Sequence, residues 1–322
     1  MPETPRYLEA LNQALADEME RDERVALLGV DVGEAGGVYG VTRGLYERFP
    51  DRVIDTPIAE AGVLGAAVGA AMTGLRPVAE IMYMDFITVC LDPIVNQAAK
   101  LRYMTGGAAD VPVVFRTQTG GGRSAGAQHS QSLEAMLAHV PGLRVFCPAD
   151  ARDAYDLLVA AIRDDSPVCF VENRRLYPRR APDWDRPALP PGRARVVRRG
   201  SDLTVVAWGR MVSETVRAVE QVDEVDVELI DLRTLVPLDL EPVFASVAKT
   251  GRCLIVHEAV EAFGPGAEIA ARIADSVLWE LDGPIARFGA QPSPVPYSPA
   301  LEATMLPTHE SIAARVREVA AA

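Results

Sequence analysis

Glu60, closing the run Asp55-Thr56-Pro57-Ile58-Ala59-Glu60, is the acid that the sequence sets apart. It heads a stretch of small residues in which Gly62, Gly65, Gly69 and Gly74 recur among alanines. Pro57 suits a first helical turn, where its missing N–H is no loss. Each glycine costs a helix interior roughly 1 kcal/mol relative to alanine. Repeating that cost predicts that another backbone or a flat ligand comes very close. No basic residue in the next turn neutralises Glu60. Two readings stay open on spacing alone: an acid that works on a ligand, or one merely favoured by the helix dipole, worth under ~1 kcal/mol.

The second candidate is the glycine loop Gly120-Gly121-Gly122-Arg123-Ser124-Ala125-Gly126, followed by Gln128-His129-Ser130-Gln131. It is either a flexible turn or a loop whose lack of side chains admits a cofactor. His129 is correspondingly either a polar residue at a helix start or a catalytic one. Three other histidines compete. His139 falls late on a helix, His309 precedes the last helix, and His257 sits beside Glu258 at a strand's carboxyl end, where α/β proteins often bind ligands. The chain has no GxxxxGK[ST] phosphate loop, GxSxG elbow or HExxH helix.

The elements that must position these residues alternate. Leu8, Leu11, Leu15 and Met19 share one helical face. Strands are expected at 25–28, 53–54, 76–82, 111–116, 143–146 and 168–171, with helices at 42–49, 86–102, 131–139 and 151–163 between them. Such alternation implies a parallel sheet covered on both faces. Residues 178–200 hold five prolines and seven arginines against Asp183 and Asp185, a linker composition. This segment is either a solvated connector or a basic strap on an acidic partner surface. The rhythm then resumes, with strands at 203–208, 227–230 and 253–256 and helices at 212–222, 240–248, 266–281 and from Glu310. The expected division is 1–177, a linker at 178–200, and 201–322. The fold class is α/β, with two doubly wound domains.

The 322 residues suffice for two such domains. Hydrophobic content of 49% with 24% charged residues is that of an ordinary globular protein. A net charge of −13 argues against a nucleic-acid partner. Nearly all positive charge is arginine, since Lys100 and Lys249 are the two lysines. Cys90, Cys147, Cys169 and Cys253 show no zinc or CxxC spacing, which fits reduced thiols in a cytoplasm. The polar N-terminus does not read as a signal peptide, and the apolar run 61–73 is shorter than the ~20 residues of a membrane span.

Several motifs together carry a resemblance. DTPIAE at 55–60, LRPVAEIMYMDF at 75–86, CLDPIVNQAAKLRYMTGG at 90–107, SAGAQHSQSLEA at 124–135 and PGLRVFCPAD at 141–150 are co-linear. LIDLRTLVPLD at 229–239 and SVAKTGRCLIVHEA at 246–259 continue the series. The chain thereby resembles the β subunit of the E1 component of 2-oxo acid dehydrogenase complexes, thiamine-diphosphate enzymes acting on pyruvate, branched-chain 2-oxo acids or acetoin. That implies a thiamine-diphosphate pyrimidine-binding domain followed by a transketolase C-terminal-like domain. It further implies oxidative decarboxylation of a pyruvate-like or acetoin-type substrate, with acyl transfer to a lipoyl-bearing E2 acyltransferase.

On this resemblance Glu60 matches the glutamate that hydrogen-bonds N1′ of the cofactor's aminopyrimidine, and Phe86 the aromatic that stacks on that ring. His129 matches a channel histidine assisting acyl transfer to the lipoyl arm. Val113, Ala161, Ile162, Asp164 and Ser166 resemble positions that hold a structural potassium ion in some members. The GDG motif that binds magnesium and diphosphate is absent; Asp282-Gly283 is the nearest sequence to it. Mg²⁺ and diphosphate would accordingly belong to an α subunit, in an α2β2 assembly sharing each cofactor. One departure stands out. Where the family has Gly-Glu-Asp-Val-Gly, this chain has Gly29-Val30-Asp31-Val32-Gly33. Val30 keeps two alternatives in view: an α-paired carboligase or acyloin enzyme without lipoyl transfer, and a non-catalytic architectural subunit.

Overall fold

Apolar runs alternate with amphipathic stretches, and each pair folds as a strand and the helix that covers it. The computed structural model describes residues 4–322. Two compact units divide it: one runs to Thr119 and resumes over Met136–Pro191, and the other joins Gly120–Ala135 to Gly192–Ala322.

Up to residue 191 the elements are α1 (Tyr7–Arg21), β1 (Val25–Gly29), α2 (Leu45–Arg48), β2 (Val53–Asp55), α3 (Glu60–Met72) and β3 (Arg76–Ile81). Then come a 3-10 helix (Met84–Cys90), a π-helical turn (Pro93–Ala98), α4 (Ala99–Met104), β4 (Val114–Thr119), α5 (Glu134–Ala138), β5 (Arg144–Phe146), α6 (Ala151–Arg163) and β6 (Val168–Asn173). The strands lie in the order β5-β6-β4-β3-β1-β2, every pair parallel. On one face α1 packs against α6, burying Leu11, Leu15 and Met19 with Ala154, Leu157 and Leu158. Burying each such leucine or methionine is worth roughly 1.5–3 kcal/mol.

Several expected elements differ in this unit: the helix over 42–49 shortens to Leu45–Arg48, and that over 131–139 to Glu134–Ala138. The helix expected over 86–102 changes type along its length, 3-10 over Met84–Cys90, π over Pro93–Ala98 and α over Ala99–Met104, and Pro93, which has no N–H for the preceding turn, opens the π stretch. The strand expected over 111–116 starts at Val114 and runs to Thr119. It carries Arg116 into the middle of the sheet, where Nη1 meets Glu80 Oε2 at 2.8 Å and Nε meets Glu172 Oε1 at 2.6 Å. Within the segment 178–191, Arg186 bridges Asp150 and Asp153 at 2.9 Å each, on the acidic start of α6 of its own unit.

The second unit adds β7 (Arg195–Arg198), β8 (Leu203–Ala207), α7 (Arg210–Val219), β9 (Val227–Asp231), β10 (Thr234–Val236), α8 (Glu241–Thr250) and β11 (Cys253–Val260). It ends with α9 (Pro265–Val277), a 3-10 turn (Leu278–Glu280), β12 (Ala286–Ala290), α10 (Pro299–Met305) and α11 (His309–Ala321). Its sheet runs β12-β11-β8-β9-β7, parallel except for β7 on β9. Residues 195–198 of the expected linker are therefore an edge strand.

Candidate active site

Glu60 is the first residue of α3 and is half-buried. The preceding run 54–59 is largely exposed, and Ala59 offers no side chain to cap the helix. Behind it, the carboxyl ends of β1 and β2 are tied together. Thr56 N–H donates to Gly29 O at 2.9 Å, and Gly33 N–H donates to Asp55 Oδ1 at 2.7 Å. A Cβ on Gly33 would collide with the Asp55 carboxylate, so glycine is needed for this approach. Asp55 thus holds the 30–33 loop beside the start of α3, a role that its place in DTPIAE did not reveal. Val30 is half-buried in that loop and Asp31 is exposed, with a φ of 57°.

α3 buries Val63, Leu64, Ala67, Val68 and Ala71, while Ala61, Gly62, Gly65, Ala66 and Gly69 face outward. A Cβ added at Gly65 or Gly69 would meet nothing within 4 Å. The helix that carries Glu60 thus presents a smooth, exposed, small-residue face. Exposed apolar side chains accompany it elsewhere in this unit, including Ile58, Val89, Tyr103 and Met104. The 3-10 helix that carries Phe86 packs against α3. Phe86 is half-buried there. Cys90, on that same 3-10 helix, has its thiol pushed up to about 12 by burial and by the charge of Glu60. The structure therefore brings Glu60 and the Phe86 element together in the first unit, whereas His129 lies in the segment grouped with the second.

The glycine loop before His129 is anchored rather than loose. Gly121 N–H donates to Glu258 Oε1 at 2.9 Å, Gly122 N–H to Glu302 Oε1 at 2.7 Å, and Ser124 N–H to Glu302 Oε2 at 2.7 Å. Glu258 is in turn paired with Arg210 at 3.0 Å. Where the loop enters α5, buried Glu134 accepts from Trp208 Nε1 at 3.3 Å, and burial pushes its carboxyl up. His129 itself is half-buried, its N–H directed at Gly126 O at 3.4 Å. A cavity of about 360 Å³ beside the loop is lined by Ser130, Leu133, Glu258, Val260 and Leu306 among others.

The remaining histidines separate clearly. His257 is fully buried, stacked on Trp208 with ring centroids 5.3 Å apart, and donates Nδ1–H to Ala259 O at 3.0 Å. Burial lowers its pKa to about 4, so it is a neutral core group at neutral pH. His139 is exposed just past α5, and His309 heads α11 among Arg217, Glu214 and Glu310. Asp282-Gly283 forms a turn in which Asp282 N–H donates to Gly251 O at 2.8 Å.

Of the expected potassium positions, Ile162 O and Asp164 O both accept from Arg76 Nη1, at 3.0 and 3.1 Å. Val113 O accepts from Val168 N–H at 2.9 Å and Ala161 O from Asp164 N–H at 3.3 Å. Ser166 N–H donates to Asp164 Oδ1 at 2.9 Å. Among the described residues no three His, Cys, Asp or Glu side chains gather as a metal site. No helix among them is long and apolar enough to cross a membrane.

Two α/β units, each built on a largely parallel sheet, define a transketolase-like chain. A transketolase pyrimidine-binding domain matches residues 3–180 and a transketolase C-terminal domain matches residues 192–312. A split-gene transketolase, an inactive β4 tetramer, superposes with a TM-score of 0.78 at 22% identity, covering 99% of each chain. Transketolase from Leishmania mexicana gives a TM-score of 0.74 at 18% identity, covering 100% of this chain and 46% of that one.

Among curated proteins the likeness is closer. The β subunit of acetoin:2,6-dichlorophenolindophenol oxidoreductase from Cupriavidus necator is 43% identical, over 96% of this chain and 95% of its own. The mitochondrial pyruvate dehydrogenase E1 β subunit of Drosophila melanogaster is 46% identical, over 93% and 84%. The 2-oxoisovalerate dehydrogenase β subunit of Bacillus subtilis is 41% identical, over 98% of both. The chain belongs to this family, the β subunits of the E1 components of 2-oxo acid dehydrogenases.

Proposed function

We propose that this chain is the catalytic β subunit of a thiamine-diphosphate-dependent 2-oxo acid dehydrogenase, working on a pyruvate-like or acetoin-type substrate. It acts with an α subunit in an α2β2 assembly, in the cytoplasm, and delivers the acyl unit to a lipoyl-bearing E2 acyltransferase. The observation that carries the reading is Glu60 at the head of α3, with the helix's small-residue face exposed and the Phe86 element packed against it. These residues fit the aminopyrimidine half of the cofactor: a half-buried carboxylate, an aromatic ring, and a face without side chains that would keep a flat group away. When bound, thiamine diphosphate supplies the electron sink for decarboxylation. Glu60 would hold the pyrimidine by a hydrogen bond to its carboxylate and so bias where the ring carries its proton. Phe86 would orient the ring by stacking, a contact of roughly 1 kcal/mol. His129 serves the later proton movement as acyl passes to the lipoyl arm. Mg²⁺ and diphosphate fall to the α subunit. A monovalent cation held at Val113, Ala161, Ile162, Asp164 and Ser166 would share the carbonyls of Ile162 and Asp164 with the Arg76 guanidinium, which two lone pairs per oxygen permit but like charge opposes.

Glu60→Gln in the co-expressed α/β pair is expected to cut turnover by about 10²- to 10⁴-fold, the range of acid–base assistance, while the tetramer still assembles. Near-normal turnover would end the role given to Glu60. Val30, half-buried at the end of β1, favours one second reading. An α-paired carboligase would join two carbonyl substrates without any E2 present, and product analysis of the purified pair decides between the two.

A further inference from the structure

Three amides within four residues of the glycine loop, those of Gly121, Gly122 and Ser124, converge on two buried carboxylates. Successive N–H groups in a turn of this kind form an anion-binding concavity. Here the chain supplies its own anion. Glu302, only 3% exposed, presents one oxygen to Gly122 and the other to Ser124, both at 2.7 Å. The surroundings are moulded to that contact. A Cβ on Gly121 would stand 2.7 Å from Leu306 Cδ1 and 3.2 Å from Glu302 Oε1, and one on Gly126 would collide with the Tyr297 ring. α10 and the segment before it are thus built against the backbone of this loop. Ser124 takes a φ of 55°, which a non-glycine residue adopts only when its surroundings impose it. His129 follows within five residues of Ser124, its N–H directed back to Gly126.

We propose that Glu302 is a positioning residue: its carboxylate fills the amide concavity of the loop and so sets the placement of His129. The proposal rests on the reading of His129 as the residue that serves acyl transfer. Glu302 touches no reacting atom in this scheme and acts through the backbone of residues 122–124.

The test uses the co-expressed α/β enzyme with Glu302→Gln, Glu302→Asp, His129→Ala and the double variant E302Q/H129A. Hydrogen exchange at the Gly122 and Ser124 amides reads the clamp itself. Glu302→Gln should speed it roughly 10- to 100-fold, the scale of losing charge-assisted hydrogen bonds. Acylation of the lipoyl domain, divided by reduction of 2,6-dichlorophenolindophenol with the same substrate, reads the consequence. That ratio should fall about tenfold in E302Q, recover in part in Glu302→Asp, and fall no further in E302Q/H129A than in His129→Ala alone, because coupled residues are non-additive. Unchanged exchange in E302Q, or losses that add in the double variant, would overturn the proposal. Equal losses in both assays for His129→Ala would instead remove the acyl-transfer reading, and amide exchange would then decide the clamp by itself. If Glu302→Gln fails to assemble, Glu302→Asp keeps the charge, and the same exchange and ratio measurements on it decide the matter.

Discussion

Arg116→Met removes a buried cation from the middle of the first sheet and leaves its partners behind. Glu80 and Glu172 are 4% and 0% exposed, so neither can turn to water. They lose Arg116 contacts at 2.8, 2.6 and 3.0 Å, and keep Gln118 Nε2 on Glu80 at 3.0 Å and the Tyr177 hydroxyl on Glu172 at 2.6 Å. Burial works against the guanidinium's charge, but Glu172 and Glu80 outweigh it and hold Arg116 above its usual range. Breaking such a buried pair by removing one partner costs about 3–5 kcal/mol. At about 2–4 °C per kcal/mol for a unit of this size, the melting temperature should drop by roughly 6–20 °C.

The pH dependence has a definite sign. Burial already pushes the Glu172 carboxyl up, with Arg116 pulling the other way, and the variant loses that pull. A carboxyl raised in the folded state stabilises fully below its unfolded value of about 4.3, and that contribution is lost as pH rises through the raised folded value. The deficit of Arg116→Met should therefore be smallest near pH 4–5 and grow toward neutrality, with E80Q or E172Q added to the variant reducing it. Calorimetric melts of wild type and variants across that range measure it. A melting temperature within ~2 °C of wild type at pH 7, a change far smaller than expected for a broken buried pair, would mean that the two carboxylates do not depend on Arg116.

Gly266→Ala would ordinarily help α9 by roughly 1 kcal/mol, but its Cβ would stand 2.7 Å from His257 Nε2 and 2.8 Å from Cδ2. The His257 ring is pinned on Trp208 and Ala259, so the substitution should lower the denaturation midpoint, and a midpoint at or above wild type would count against that packing. All four cysteines are buried, and burial pushes the thiols of Cys90 and Cys253 up to about 12. Alkylation at pH 8 should accordingly leave this chain's mass unshifted while folded, and add four labels after denaturation.

Much of this fold is legible in the sequence where the physics is local. α6 falls on the expected 151–163 because its apolar stripe is strongly one-sided and Asp150 caps it. Alternating strands and helices likewise give one parallel sheet and a second that is parallel except for its edge strand β7. Polar strand residues are harder to see. Gln118 and Thr119 are buried in β4 only because the sheet is covered on both faces, and β12 and α10 lie in a glycine- and proline-bearing stretch without period. For the candidate site, Glu60, Phe86 and His129 stand out through motifs that resemble a family. The supports do not stand out. Glu302 reaches Gly122 across 180 residues, and Glu258 reaches Gly121 across 137, so no local spacing could announce either. The Asp55 contact to Gly33, 22 residues away, is hidden for the same reason.

A cofactor site shared between subunits, its pyrimidine side on this chain and its diphosphate side on another, is tested by calorimetric titration of thiamine diphosphate with Mg²⁺ into the purified chain and into the co-expressed α/β pair. The pair should bind tightly and the lone chain weakly or not at all, with Glu60→Gln weakening the pair. Full-affinity binding by the lone chain would mean that the site is not shared.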